Sequence, residues 1–157
     1  MQHTRSSSGA WTLWVVAVSC ALHATEEFFT GWQLWARETL GIFLPTTIFL
    51  GMNAFLVIAA FLLAPIGWRR PALTLVIPVA TVVNAIVFHI LPTIVTARVS
   101  PGVYTATFLY LPFSSYAVVA AARHGASRRA LLTALVVGTA MATGVVIAER
   151  RLSGLTM

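Results

Sequence analysis

The chain contains no lysine and no aspartate, and only 9% of its 157 residues are charged, where an ordinary soluble domain carries about a quarter. All ten basic residues are Arg and all four acids are Glu. So little charge excludes a soluble globular fold. The net charge of +6 would point to a nucleic-acid partner in a soluble protein. Here the arginines stand singly or in pairs at the ends of apolar runs, where they read as topology signals and headgroup anchors. Membrane lipids are the expected partner, and nucleic acid is not. Cys20 is the single cysteine, which excludes an internal disulfide and any multi-cysteine zinc site. Lying inside an apolar run, it reads as a small packing residue.

What the chain has in abundance is apolar length. Hydrophobic residues make up 59% and the mean hydropathy is +0.88. Five apolar stretches can be marked, at 11–30, 42–64, 72–96, 103–122 and 130–148, each close to the ~20 residues that a membrane crossing requires. Between them lie turn-forming connectors such as Ala64-Pro65-Ile66-Gly67 and Ser100-Pro101-Gly102. The runs do not alternate in polarity as barrel strands would. They predict an all-α integral membrane protein, a compact bundle of about five transmembrane helices forming one membrane-embedded domain over 1–157. The first helix is expected to be uncleaved, because a cut near Ser19-Cys20-Ala21 would leave His23 near a free end. Arg5, Arg69, Arg70, Arg123, Arg128 and Arg129 fall on one side, against Arg37, Arg98, Arg150 and Arg151 on the other. That bias predicts a cytoplasmic amino terminus in a multi-pass cell-membrane protein.

Within the first stretch the chain reads His23-Ala24-Thr25-Glu26-Glu27. At 100° per residue, Glu26 lies about 60° to one side of His23 and Glu27 about 40° to the other, so one helix face presents all three. A charge at the bilayer centre costs about 2.5–3.5 kcal/mol on the most lenient scale, so such groups face the bundle interior and have partners. The third stretch holds the other intramembrane histidine, His89. Spans one and three run in the same direction, and counting from their starts places Glu27 about 24 Å and His89 about 25 Å along.

Two His and two Glu at one level suit a divalent ion such as zinc, iron or manganese. His23, Glu26, Glu27 and His89 are the candidate ligands. Glu26 and Glu27 are the candidate catalytic residues, since a glutamate that is not a ligand can serve as general base. Two other readings of the same residues stay open. The glutamates are followed by Phe28, Phe29, Trp32 and Trp35, an aromatic belt that would place them at the interface. They can also titrate without metal, in acid/base chemistry or proton handling.

Four residues are candidates for a supporting role. Asn84 lies 140° from His89 on a regular helix, unless a π-bulge brings the two closer; otherwise it is expected to bond a neighbouring helix, as is Asn53 in the second span. Arg98, Tyr104 and Thr105 emerge with Pro101 and Gly102 on the same side as the His/Glu cluster, so their loop can roof the site, or form an ordinary turn with interfacial anchors. The fifth stretch has Ala134, Gly138 and Ala142 at four-residue spacing, a close-packing face for scaffolding or for a homodimer. His3 and His124 are expected to be solvated.

The string His23-Ala24-Thr25-Glu26-Glu27 resembles the HXXEE family of small multi-span bacterial membrane proteins. That family has a further histidine, which His89 would match, and a Tyr-x-Pro-Gly motif, which stands here as Val99-Ser100-Pro101-Gly102 with valine in place of tyrosine. The resemblance runs from the first helix through the loop before the fourth. It implies a bacterial membrane location and singles out these residues, but implies no activity. The resulting expectation is a metal-dependent enzyme of hydrolase type, with a metal-activated water acting on a lipid or other apolar substrate. Oxidative chemistry at a non-haem iron is the second guess. A metal-free proton-coupled transport module and a structural or partner-binding membrane protein are the alternatives.

Overall fold

The computed structural model describes residues 9–153, with side chains as far as residue 144. His3, Arg5 and the side chains of Glu149, Arg150 and Arg151 lie outside it. The described residues are helical with no strand. They form α1 (Trp11–Thr30), α2 (Trp32–Leu40), α3 (Thr46–Arg69), α4 (Pro71–Thr96), α5 (Val103–Arg123) and α6 (Arg128–Ser153). Among them α3, α4 and α5 are both long enough and apolar enough to cross a membrane. His23, Glu26 and Glu27 dilute the apolar character of α1, which is 20 residues long.

Six helices replace the expected five because the connector after the first stretch is itself helical. Gly31, at φ 78°, ends α1 in the left-handed region and donates its N–H to the Glu27 carbonyl; the chain then resumes as α2. Nine residues are too few to span, and the helix survives by burying Trp32, Trp35 and Ala36 on one face. The second stretch is also displaced. Residues 42–45 are not helical, and Ile42 and Leu44 are buried instead as part of the cluster around Trp32 and Phe49. Its helix runs on through the expected turn at Ala64–Gly67, as a 3-10 segment broken at Gly67 (φ 58°, ψ −146°).

The centre of the bundle is α4, with 61% of its apolar window buried against 17% for α3. Its most extensive neighbour is α6. A Cβ on Gly138 would stand 2.7 Å from the Val76 carbonyl oxygen and 2.8 Å from Val79, so the small-residue face of α6 is closed by α4 within the chain. A second copy would have to use the outward face, where Leu132, Leu135 and Val136 are exposed.

Two helices depart from α geometry. In α4 the turn Ala85–Ile90 is π-helical, and in α5 the segment Ala106–Ser114 is π-helical around Pro112. Proline lacks the N–H that an α-helix would use, and a wider turn accommodates the loss. α1 and α4 both run toward the end of the bundle from which α5 starts. The residues near that end form the site.

Candidate functional site

Three ionisable side chains meet there. His23 and Glu27 come from α1, one turn apart, and His89 from the π-helical turn of α4; they are 1%, 5% and 0% exposed. His23 Nε2 lies 3.4 Å from Glu27 Oε1 and His89 Nε2 lies 3.3 Å from the same oxygen. The two rings stand nearly perpendicular with centroids 4.7 Å apart. One ligand atom from each residue falls within 4.8 Å of the other two.

The far side of each ring is held by a hydroxyl. His23 Nδ1 is 2.8 Å from Thr105 Oγ1, which in turn donates to Glu26 Oε2 at 2.6 Å. His89 Nδ1 is 3.1 Å from Ser100 Oγ, whose other neighbours are the carbonyl oxygens of Phe88 and Pro101, both at 3.3 Å. Each hydroxyl has a single proton and an acceptor-only group within reach, an arrangement that is met when each imidazole is the donor at Nδ1. We assign the Nδ1–H tautomer to both rings on these partners. The consequence is electrostatic. Both Nε2 atoms then present lone pairs toward a carboxylate oxygen, and both are buried without a hydrogen-bond partner. Three electron-rich atoms facing one another in a buried site could hold a cation among them.

Two of the three ligand-atom separations suit a metal ion. Ligand atoms at about 2.05 Å from a tetrahedral centre stand about 3.3 Å apart, the separation of each Nε2 from the carboxylate oxygen. A hydrogen bond from the second ring nitrogen is also the usual way a ligating imidazole is oriented. Asn53 Nδ2 approaches Glu27 Oε2 at 3.4 Å while donating to the Phe49 carbonyl at 3.2 Å.

Glu26 does not join the cluster. Its carboxylate accepts from the backbone N–H of Tyr104 at 3.3 Å and of Thr105 at 2.9 Å, as well as from the Thr105 hydroxyl. The reason is rotational: the side of α1 that carries Glu27 faces α4, and the side that carries Glu26 faces the first turn of α5. Carboxylates are favoured at that position by the free N–H groups of a helix start. Arg98 pairs with Glu38 at 3.2 Å on the surface and touches neither site glutamate. The Tyr104 side chain is exposed, and only its backbone serves the site. Thr105 is the one loop-proximal candidate whose side chain reaches a histidine. Asn84 lines a neighbouring cavity, and its side chain makes no hydrogen bond to the His89 ring, although the π-helical turn lies between them.

Ser100 was not among the expected site residues, Gly102 was expected only as part of the loop that can roof the site, and Tyr110 was not expected. Ser100 holds His89. Gly102, at φ 90°, closes the site: a Cβ there would meet His89 Cε1 at 2.8 Å, His23 Cε1 at 2.9 Å and Glu27 Cγ at 3.0 Å. Tyr110, fully buried beside Cys20, packs its ring on His23 with centroids 4.3 Å apart. The Pro-Gly pair was the available signal for the first two, since a glycine after a proline marks a backbone that turns where a side chain would not fit. Tyr110 carried none, being one aromatic in an apolar run.

The α1 motif, His89 and the Ser100-Pro101-Gly102 turn thus converge on one buried point. Comparison with known proteins covers the same stretch of chain. Neither a curated protein nor a solved structure matches. The family described as protein of unknown function with HXXEE motif matches residues 14–117, well over half of the 157, and the chain belongs to that family.

Proposed function

We propose that the chain is an integral membrane protein whose His23, Glu27 and His89 hold a divalent metal ion that serves a hydrolytic reaction on a lipid or other apolar substrate. The membrane reading is supported by three apolar helices of spanning length and by an outer surface carrying Phe29, Ile94, Val95, Phe108 and Leu62, each at least 68% exposed. Apolar exposure on that scale is stable in lipid and not in water. The metal reading rests on one observation: two imidazoles, each fixed by a hydroxyl on Nδ1, aim unpartnered Nε2 atoms at a single carboxylate oxygen.

A divalent ion held there supplies Lewis acidity, polarising a carbonyl or lowering the pKa of water. The chain's own residues supply position. Thr105 and Ser100 fix the tautomers, Asn53 orients Glu27, and Gly102 admits the backbone where any side chain would displace the ligands. Glu26 is a positioning residue acting through Thr105, not a ligand. Two imidazoles and one carboxylate leave coordination positions open, the shell of catalytic zinc and also of non-haem iron, so metal identity separates hydrolysis from oxidation.

Metal analysis of detergent-purified protein tests the ligand set. Wild type is expected to hold close to one metal per chain, and His23→Ala and His89→Ala to lose it, while Glu26→Gln retains it. Retention in both histidine variants overturns the proposal. The chain of hydrogen bonds from half-buried Glu26 through Thr105 to His23 favours a second reading, a metal-free proton-coupled module. That reading requires wild type to lack metal and to lose a pH-dependent flux in Glu26→Gln and Glu27→Gln.

A further inference from the structure

Next to the trio lies a cavity of about 270 Å³, and Glu27 belongs to its lining as well as to the trio. Eleven of the fifteen lining residues are apolar. Of the polar ones, Thr81 donates its hydroxyl to the Pro78 carbonyl with Ser114 Oγ beside it, Asn53 donates to the Phe49 carbonyl and to Glu27, and Asn84 Oδ1 is buried away from water. Glu27 is the one ionisable residue in the wall.

The cavity is long and thin. Its lining runs along α4 from Ala80 to Phe88 and along α3 from Phe49 to Leu56, which at about 1.5 Å per residue makes roughly 12 Å and roughly 10 Å. At about 30 Å³ for each group the size of a water or a methylene, the volume holds roughly nine of them. Nine groups strung over that length advance as the carbons of an extended alkyl chain do, whereas a ring system of equal volume is shorter and wider. The two helices are antiparallel, so Phe49 and Phe88 stand at the end nearer the trio and Leu56 and Ala80 at the other. We infer that the cavity binds a single unbranched acyl chain of about nine carbons. Its carbonyl end lies at Glu27, where the wall is ionisable and the metal site begins, and its methyl end lies between Leu56 and Ala80. The inference names the substrate class for the metal site and rests on that reading for its chemistry, though not for its binding.

The test is photolabelling of the full chain with methyl nonanoate bearing a diazirine at its methyl end. The protein is held in digitonin, whose apolar part is a rigid steroid and does not mimic an acyl chain. Sites are mapped by mass spectrometry and metal content is measured on the same sample. Saturable labelling is expected at Leu56, Ala80 and Met141. Methyl nonanoate is expected to compete about fivefold better than methyl hexanoate and better than methyl adamantane-1-carboxylate by a similar factor, with no further gain in methyl tetradecanoate. Ala80→Leu, which shortens the cavity, should move that break to a shorter chain, and Leu56→Ala should move it to a longer one. Equal competition by the adamantane ester, affinity that keeps rising through tetradecanoate, or labelling spread over outward residues such as Ile94 and Phe108 overturns the inference. The break in length is read on wild type, so the result does not depend on a variant folding. Absence of the break in protein that holds metal sinks the acyl-chain assignment alone, and a clear break in protein without metal sinks the metal site alone.

Discussion

Gly102 shows how much a single residue can decide in this site. Its left-handed backbone costs a non-glycine residue roughly 1–2 kcal/mol. Space adds a second penalty, since the nearest atoms to a Cβ belong to all three members of the cluster. Gly31 separates the two effects: it is also left-handed, at φ 78°, but has nothing within 4 Å. Gly102→Ala is therefore expected to lower metal occupancy more than tenfold and to destabilise the fold by roughly 1–3 kcal/mol. Gly31→Ala should show the backbone cost and keep its metal, read by metal stoichiometry and thermal unfolding. At this scale the sequence was partly legible. His23, Glu27 and His89 announced themselves, because ionisable groups inside apolar runs are expensive. The choice between Glu26 and Glu27 was not legible, since both lie within about 60° of His23 and only the packing of α4 and α5 around α1 assigns them.

A helix carrying a site must present it on the correct face, and α4 does so through an irregular turn. Asn84 and His89 are five residues apart, which a π-helical turn stacks nearly over one another and a regular α-helix sets 140° apart. Shared face is the property that matters, and it can be had in another way. Deleting Val87, which is 40% exposed, leaves the two residues four apart, and an α-helix also places that spacing on one face. Protein lacking Val87 is expected to keep its metal. Duplicating Val87 should turn His89 by about 100° away from α1 and abolish binding, as metal analysis of the two variants would show. Loss of metal in the deletion would mean that the wide turn itself, rather than the face, is required. Apolar run length located α1, α4 and α5 to within one residue. It missed α2, because nine residues held by two buried tryptophans look like a polar connector until their neighbours are in place.

For the molecule as a whole, the larger group of arginines and the site occupy opposite ends, with Arg37 and Arg98 at the site's end. Arg69, Arg70, Arg123, Arg128 and Arg129 cluster where α3 meets α4 and α5 meets α6, whereas the His/Glu cluster lies where α4 turns into α5. In the membrane reading, an excess of arginine marks the cytoplasmic side, so the site is expected nearer the outer one. Each end offers an exposed reporter, Val99 beside the site and Ser127 in the loop before α6, and Cys20, the natural cysteine, is buried. In a Cys20→Ser background, a membrane-impermeant thiol reagent is expected to label Val99→Cys in intact cells and Ser127→Cys only after permeabilisation. The reverse pattern would invert the orientation while leaving the site intact, because the arginine bias sets direction and the helix packing sets geometry. Labelling of both positions in intact cells would contradict the spanning arrangement itself, since α5 separates the two reporters by the full length of a 21-residue apolar helix.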